Sequence, residues 1–248
     1  MTASYTGMFG SPERLLGEIN EDFDVESRLL DAELVAAALV ALASGASSRH
    51  LESVLVHDLV PRLAASSSPA AVPVLLAVGD VADGRVRTAA TKAAIRMLHV
   101  GHRMPAWAAD LVAPVLAHDC YRVLDTGGRV IEFGAALERA ARSWLVWATV
   151  DESIGEVDSV EFAVDRPVAY LEGRFHIKQR RGGRYATKES LDPAEFVRQV
   201  RAALVPQPRP MIDPYVFRQP GEDDLLGGPE GETALVLLRS WVSKVAPT

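Results

Sequence analysis

The chain has 248 residues, a formal net charge of −7, 48% hydrophobic but only 6% aromatic content, and one cysteine. That length suits one large domain or two small ones, and it buries enough apolar surface to fold without disulfides. The lone Cys120 excludes an internal disulfide and a cysteine-based zinc cage. The acidic balance works against nucleic-acid binding over the whole surface.

Met1 to Asp24 reads as an N-terminal arm, acidic near its end at Glu18, Glu21, Asp22 and Asp24. MTASYTGMFGSPER has no apolar signal-peptide core. The longest apolar run, Leu34 to Ala43, is too short to cross a bilayer. A soluble, cytoplasmic protein with no membrane contact is expected.

Helical spacing governs residues 25–117. The first helix starts between Val25 and Asp31 and ends near Ser44-Gly45, with Leu30, Leu34, Ala38 and Leu42 recurring every four residues and Val35 and Leu39 widening the stripe. A second helix follows Ser47-Ser48 and lines Leu51, Val54, Leu55, Leu59 and Leu63 on one face; Pro61 should kink it or end it a turn early. After SSSP come two short helices, Pro69–Gly79 and Arg85–Leu98, joined by the turn DVADG. In the second of these, Val86, Ala90, Ala93 and Met97 face inward, while Arg85, Thr88, Lys92 and Arg96 form the opposite face. Another short helix begins at Pro105 and carries Trp107, Leu111, Val112 and Val115.

The period changes at Asp119. CYRVLD, RVIEFGAAL, SWLVWATV and VDSVEFAV alternate as strands, linked by DTGG (125–128), LERAAR (137–142) and DESIGE (151–156). Short links make successive strands antiparallel neighbours. Both sides of SWLVWATV are apolar, so it is a central strand covered on each face. Pro167 to Lys178 adds a fifth strand or hairpin. Asp192, Pro193 and Glu195 are the start signals of a helix with Phe196, Val197, Val200 and Leu204 on its apolar face. Residues 206–229 hold six prolines and read as a linker. A last helix, Glu232 to Val245, carries Leu235, Leu238, Trp241, Val242 and Val245.

The unit from Ser68 to Leu98 resembles one HEAT-like helical repeat: Pro73 early in the first helix, Asp83 ending the turn, the Val86-Arg87 pair, and small residues at Ala90, Ala93 and Ala94. The resemblance implies a stacking module that recognises partners rather than a chemistry. Residues from Trp107 to about Val164 resemble a group of actinobacterial proteins in which a W-A-A-x-L helix leads into a strand, a D-x-x-G turn and a W/L-V-V-x-x-V-D strand. The matching residues are Trp107-Ala108-Ala109, Asp125 to Gly128 and Trp144 to Asp151. That resemblance supports the strand order and brings no activity. Together these readings give an α+β protein: an N-terminal HEAT-like helical stack packed on a small antiparallel β-sheet with two C-terminal helices. The expected divisions are an arm (1–24), the stack (25–117), sheet plus helix (118–205), and a Pro-rich linker with the last helix (206–248).

Catalytic signatures are weak. His99 and His102 form H-V-G-H with His118-Asp119-Cys120 shortly after, but Gly101 interrupts the helix between the pair and no Glu follows in the metalloprotease pattern. Asp125-Thr126-Gly127 repeats the triplet of aspartic proteases, but DTGG between two strands is a hairpin turn. Strand alternation places His118 and Cys120 on one side, where a thiol would need that imidazole in reach; small buried filler is the ordinary role of such a cysteine. The phosphate-loop, dinucleotide and G-x-S-x-G motifs are missing. No catalytic residue, metal or cofactor is expected.

One segment departs from the rest in charge. Leu171 to Lys188 contains Arg174, Lys178, Arg180, Arg181, Arg184 and Lys188 against Glu172, a local charge of +5 that leaves −12 elsewhere, with Phe175, His176 and Tyr185 interleaved. It admits three readings: a hairpin docked on the chain's own acidic segments, a contact for an acidic partner protein, or a nucleic-acid grip. The leading expectation is a non-enzymatic adaptor or regulator that binds a protein partner. The binding residues would be Arg85, Lys92 and Arg96 on the stack and Arg174, Lys178, Arg180, Arg181, Arg184, Tyr185 and Lys188 on the loop. The alternatives are a nucleic-acid-binding protein using the basic loop, and a hydrolase-type enzyme with a site where the sheet meets the stack, near His118, Cys120 and Asp151.

Overall fold

The computed structural model describes residues 19, 23–45, 52–140, 142–151, 155–164, 187–204 and 231–246. Most of the N-terminal arm, the Ser47-Ser48 cap, the Pro167–Lys178 strand, the basic segment up to Ala186 and the Pro-rich linker lie outside these residues. The protein is α+β, with helices at the N-terminal end, a five-stranded antiparallel sheet, and two C-terminal helices. It divides into a helical unit through Val112 and a sheet unit from Ala113 onward.

The helical unit contains α1 (Leu29–Gly45), a π-helical turn (Leu55–Leu59) that runs into α2 (Val60–Ala65), α3 (Ala71–Val81), α4 (Gly84–His99) and a 3-10 helix (Ala106–Val112). Helix α3 packs against α1, α2 and α4. It is buried almost throughout, from Ala71 to Val81. The inward face expected of α4 is observed: Val86, Ala90, Ala93 and Met97 are buried, with Ala94 beside them. Close approach of α3 and α4 depends on Gly79, where a Cβ would lie 2.6 Å from Thr91 Oγ1.

Two helical expectations need correction. Helix α1 buries Leu30, Val35 and Leu39 of the expected stripe together with Leu29, Ala32, Ala36 and Ala37, whereas Leu34 and Ala38 are only half-buried. A helix apolar all round offers several equivalent stripes, and the closest approach selects the alanines. Pro61 does not end its helix a turn early, since the helix continues to Ala65. The preceding turn widens to a π-helix, and Pro61 enters α2 within its first turn, where its missing N–H is tolerated.

Helix α4 ends in a Schellman motif. Gly101 (φ +102°) donates to the Leu98 carbonyl, and the His102 N–H reaches back 3.1 Å to the Met97 carbonyl. Trp107, in the 3-10 helix, donates its indole N–H to the Val25 carbonyl at 2.9 Å and so ties the end of this unit to its beginning.

The sheet unit has strands β1 (Val115–Leu124), β2 (Val130–Arg139), β3 (Arg142–Val150), β4 (Val157–Val164) and β5 (Thr187–Ser190), in the order β4-β3-β2-β1-β5. Strand β1 begins ahead of the expected CYRVLD, and the connection expected at 137–142 is tighter, with Leu137 to Arg139 in β2, Arg142 in β3, and Arg139 paired with Arg142. Ala140 takes a positive φ of 54° there. Helix-favouring residues in LERAAR disguise a tight hairpin that Gly or Asn ordinarily marks.

One face of the sheet meets α5 (Pro193–Ala203) and α6 (Gly231–Lys244). Phe133 packs edge-on against Phe196, and Trp241 lies between Trp144 and Phe162 with both centroid distances 5.0 Å. On the other face Tyr121, Val123, Ala136, Leu145, Trp147 and Ala163 form a second buried cluster. Strand β3 is therefore covered on both faces, as its sequence requires. Helix α5 starts as expected: Asp192 accepts from the Ala194 N–H at 2.8 Å and Pro193 takes the first position.

Candidate functional site

Helix α4 carries the expected binding face of the stack. A residue in an α-helix turns by about 100°, so Arg85, Thr88, Lys92, Ile95, Arg96 and His99 fall on one stripe roughly 100° wide and about 21 Å long. Arg85, Thr88, Lys92, Arg96 and His99 are exposed, and Ile95 keeps 45% of its surface. At the N-terminal end Arg85 is engaged: its guanidinium is 3.4 Å from His57 Nε2 and 4.0 Å from Glu52. Thr88 donates its hydroxyl to the Gly84 carbonyl. Arg87, beside the stripe, pairs with Asp83 and bonds the Ala82 carbonyl. Lys92 and Arg96 make no ion pair among the described residues. Both cations, with His99, occupy the C-terminal half of the helix, where the macrodipole favours positive charge.

Beyond the Schellman turn the exposed apolar surface continues in Val100 (78%) and Met104 (62%), with Arg103 exposed between them. The largest exposed hydrophobic side chains among the described residues are Ile95, Val100, Met104, Val112 and Leu116, all aliphatic or methionine. Sequence reasoning found the cations and missed these apolar neighbours. The signal was the I-R-x-L-H-V-G-H run, where Ile95 and Val100 fall off the inward face.

Of the basic segment, Arg174, Lys178, Arg180, Arg181, Arg184 and Tyr185 lie outside the described residues. Lys188 is placed in β5, half-buried, with its ammonium 4.4 Å from the centre of the Tyr121 ring. It belongs to the sheet unit and serves that ring.

Of the residues singled out for chemistry, Asp125 closes a turn and Cys120 is buried. Asp125 Oδ1 accepts from the N–H groups of Gly127 (2.8 Å) and Arg129 (2.9 Å), and Oδ2 meets the Arg129 guanidinium. The Arg129 backbone N–H holds its carboxyl below the usual range, burial opposes this, and the guanidinium and the Gly127 N–H add to the lowering. The carboxylate closes the β1–β2 turn. His118 and Cys120 do not share a side. Pairing jumps from His118↔Ala136 to Tyr121↔Gly134, so Asp119 (φ 50°) and Cys120 stand opposite the single residue Ala135. This bulge resets the alternation: His118 points to the face of Tyr121 and lies 3.8 Å from Glu138, and Cys120 falls on the face of Ala135. Burial, reinforced by Asp119 and Asp192, pushes the buried Cys120 thiol up to about 12. A thiol held protonated is inert as a nucleophile or ligand at neutral pH. Among the described residues no three His, Cys, Asp or Glu side chains converge as a metal site.

No protein family, curated protein or solved structure matches this sequence. No described helix is long and apolar enough to cross a membrane.

Proposed function

We propose that this protein is a non-enzymatic adaptor or regulator that binds a protein partner through the outer face of α4 and the basic loop at 174–188, in the manner of a HEAT-like stack. The supporting observation is the pair Lys92 and Arg96, exposed on a helix whose other side is fixed by buried Val86, Ala90, Ala93 and Met97, with Ile95 exposed beside them. A helix held in place by its buried face presents these cations, with an apolar residue beside them, from a backbone that needs no ordering on contact. The turn contacts of Asp125 and the burial of Cys120 set two candidate chemical groups aside and add weight to a binding role.

The test is capture from the source cell's lysate by the tagged full chain, divided into nuclease-treated and untreated halves. Retention of the same protein partner in both halves is the expected result. Nucleic acid in the untreated half, with protein lost on digestion, would replace this reading with nucleic-acid binding, whose affinity falls steeply with salt and with R180A/R181A/R184A.

A further inference from the structure

Resting on that reading, we infer that the partner segment seated on α4 is an acidic peptide carrying an aliphatic anchor. The stripe dictates both halves of this description. Lys92 and Arg96 are one helical turn apart, about 6 Å along the axis, and Arg85 lies two turns before Lys92. Carboxylates spaced by one turn of a helix, or by two residues of an extended chain, would meet Lys92 and Arg96 together. Arg85 is already drawn towards Glu52 and His57, so the charge available to a partner is concentrated at Lys92 and Arg96 in the C-terminal half.

The apolar part separates a peptide from a nucleic acid. Ile95 flanks the two cations at one edge of the stripe, and Val100 and Met104 extend exposed aliphatic surface past the helix end. Bases are held by aromatic platforms, and none of the most exposed hydrophobic side chains among the described residues is aromatic. An aliphatic side chain from the partner covers Ile95 and excludes water from the flanking ion pairs, which strengthens them relative to exposed pairs. The charge of −7 on the whole chain repels an acidic segment everywhere except at such local cationic surface.

The experiment places a photo-crosslinking amino acid at Thr88 in the full chain, irradiates it in lysate, and sequences the attached peptide by mass spectrometry. A second sample carries K92E/R96E, and a third I95S; all three positions are exposed, and circular dichroism confirms the fold. An attached peptide with net negative charge and at least one aliphatic residue, with yield reduced on the order of tenfold by K92E/R96E and severalfold by I95S, is the expected outcome. A basic or uncharged peptide, attached nucleic acid, or a yield indifferent to both variants would overturn the inference. A partner captured by the tagged chain that never crosslinks from Thr88 would also overturn it while leaving the adaptor reading intact. Capture of no partner at all would overturn the adaptor reading itself.

Discussion

Gly134→Ala should destabilise the sheet unit by about 2–4 kcal/mol, although alanine is the smallest possible change. Gly134 has no positive φ, so the backbone accepts a side chain without strain. The obstacle is Tyr121, its register partner on β1: an added Cβ would lie 2.2 Å from Tyr121 Cζ and 2.4 Å from both Cε1 and Oη. The ring must retreat by more than 1 Å to reach ordinary contact at about 3.5 Å. It has nowhere to go. Tyr121 is 2% exposed, is packed with Trp147 and Leu145, lies under Lys188, and donates its hydroxyl to the buried Glu132 at 3.3 Å. Overpacking of this kind costs about 1–3 kcal/mol, and disturbing a bond to a buried carboxylate costs about 1.5–3 kcal/mol. Relief of glycine's entropic penalty returns roughly 0.5–1 kcal/mol. Urea unfolding followed by tryptophan fluorescence is a suitable assay, since Trp144, Trp147 and Trp241 all belong to the sheet unit. The decisive comparison repeats Gly134→Ala in a Tyr121→Ala background, where the collision is gone and the cost should fall below about 0.5 kcal/mol. A neutral Gly134→Ala, or an equal cost in both backgrounds, would refute the reasoning.

Other expectations follow from particular contacts. Trp241→Ala removes the ring held between Trp144 and Phe162 and should cost about 3–5 kcal/mol, read as a fall in the urea midpoint. Cys120 should resist thiol-specific reagents at pH 8 until the chain is unfolded, because its thiol is buried and raised to about 12; rapid labelling of the native protein would contradict its placement. Glu195, bonded by Arg198 and Gln199, is lowered from 4.5 to about 2, and Asp125 is lowered by its turn contacts. A folded value below the unfolded one gives stabilisation that is present above pH 4.5 and lost as pH falls towards 2. Asp125→Asn with Glu195→Gln should therefore flatten the decline in stability across that window, and an unchanged slope would exclude both contacts.

The α+β class, the strand sequence and the inward face of α4 were legible because their patterns are local. Val86, Ala90, Ala93 and Met97 recur at helical spacing, and Trp144 to Val150 are apolar on both sides. The bulge at Asp119 was not legible. It depends on how β1 pairs with β2, and nothing in HDCY announces an extra residue. The hairpin closed by the Arg139–Arg142 pair was hidden for a similar reason: Ala140 adopts a positive φ against its own preference, so no turn residue marks it. In α1 the sequence offered several apolar stripes, and only packing against α3 chose among them. The cationic positions of the candidate site were readable from charge alone, whereas the exposure of Ile95, Val100 and Met104 required knowing where α4 ends and what it packs against. The role of Lys188 depended on β5 pairing beside β1, a long-range contact across more than sixty residues.

The most direct test of the adaptor account compares partner capture by the wild-type chain and by K92E/R96E, both from nuclease-treated lysate and quantified by mass spectrometry. The account predicts a protein partner retained on the wild-type chain and reduced about tenfold on the variant. Equal capture by the two chains, or a partner that disappears with nuclease treatment, would contradict it.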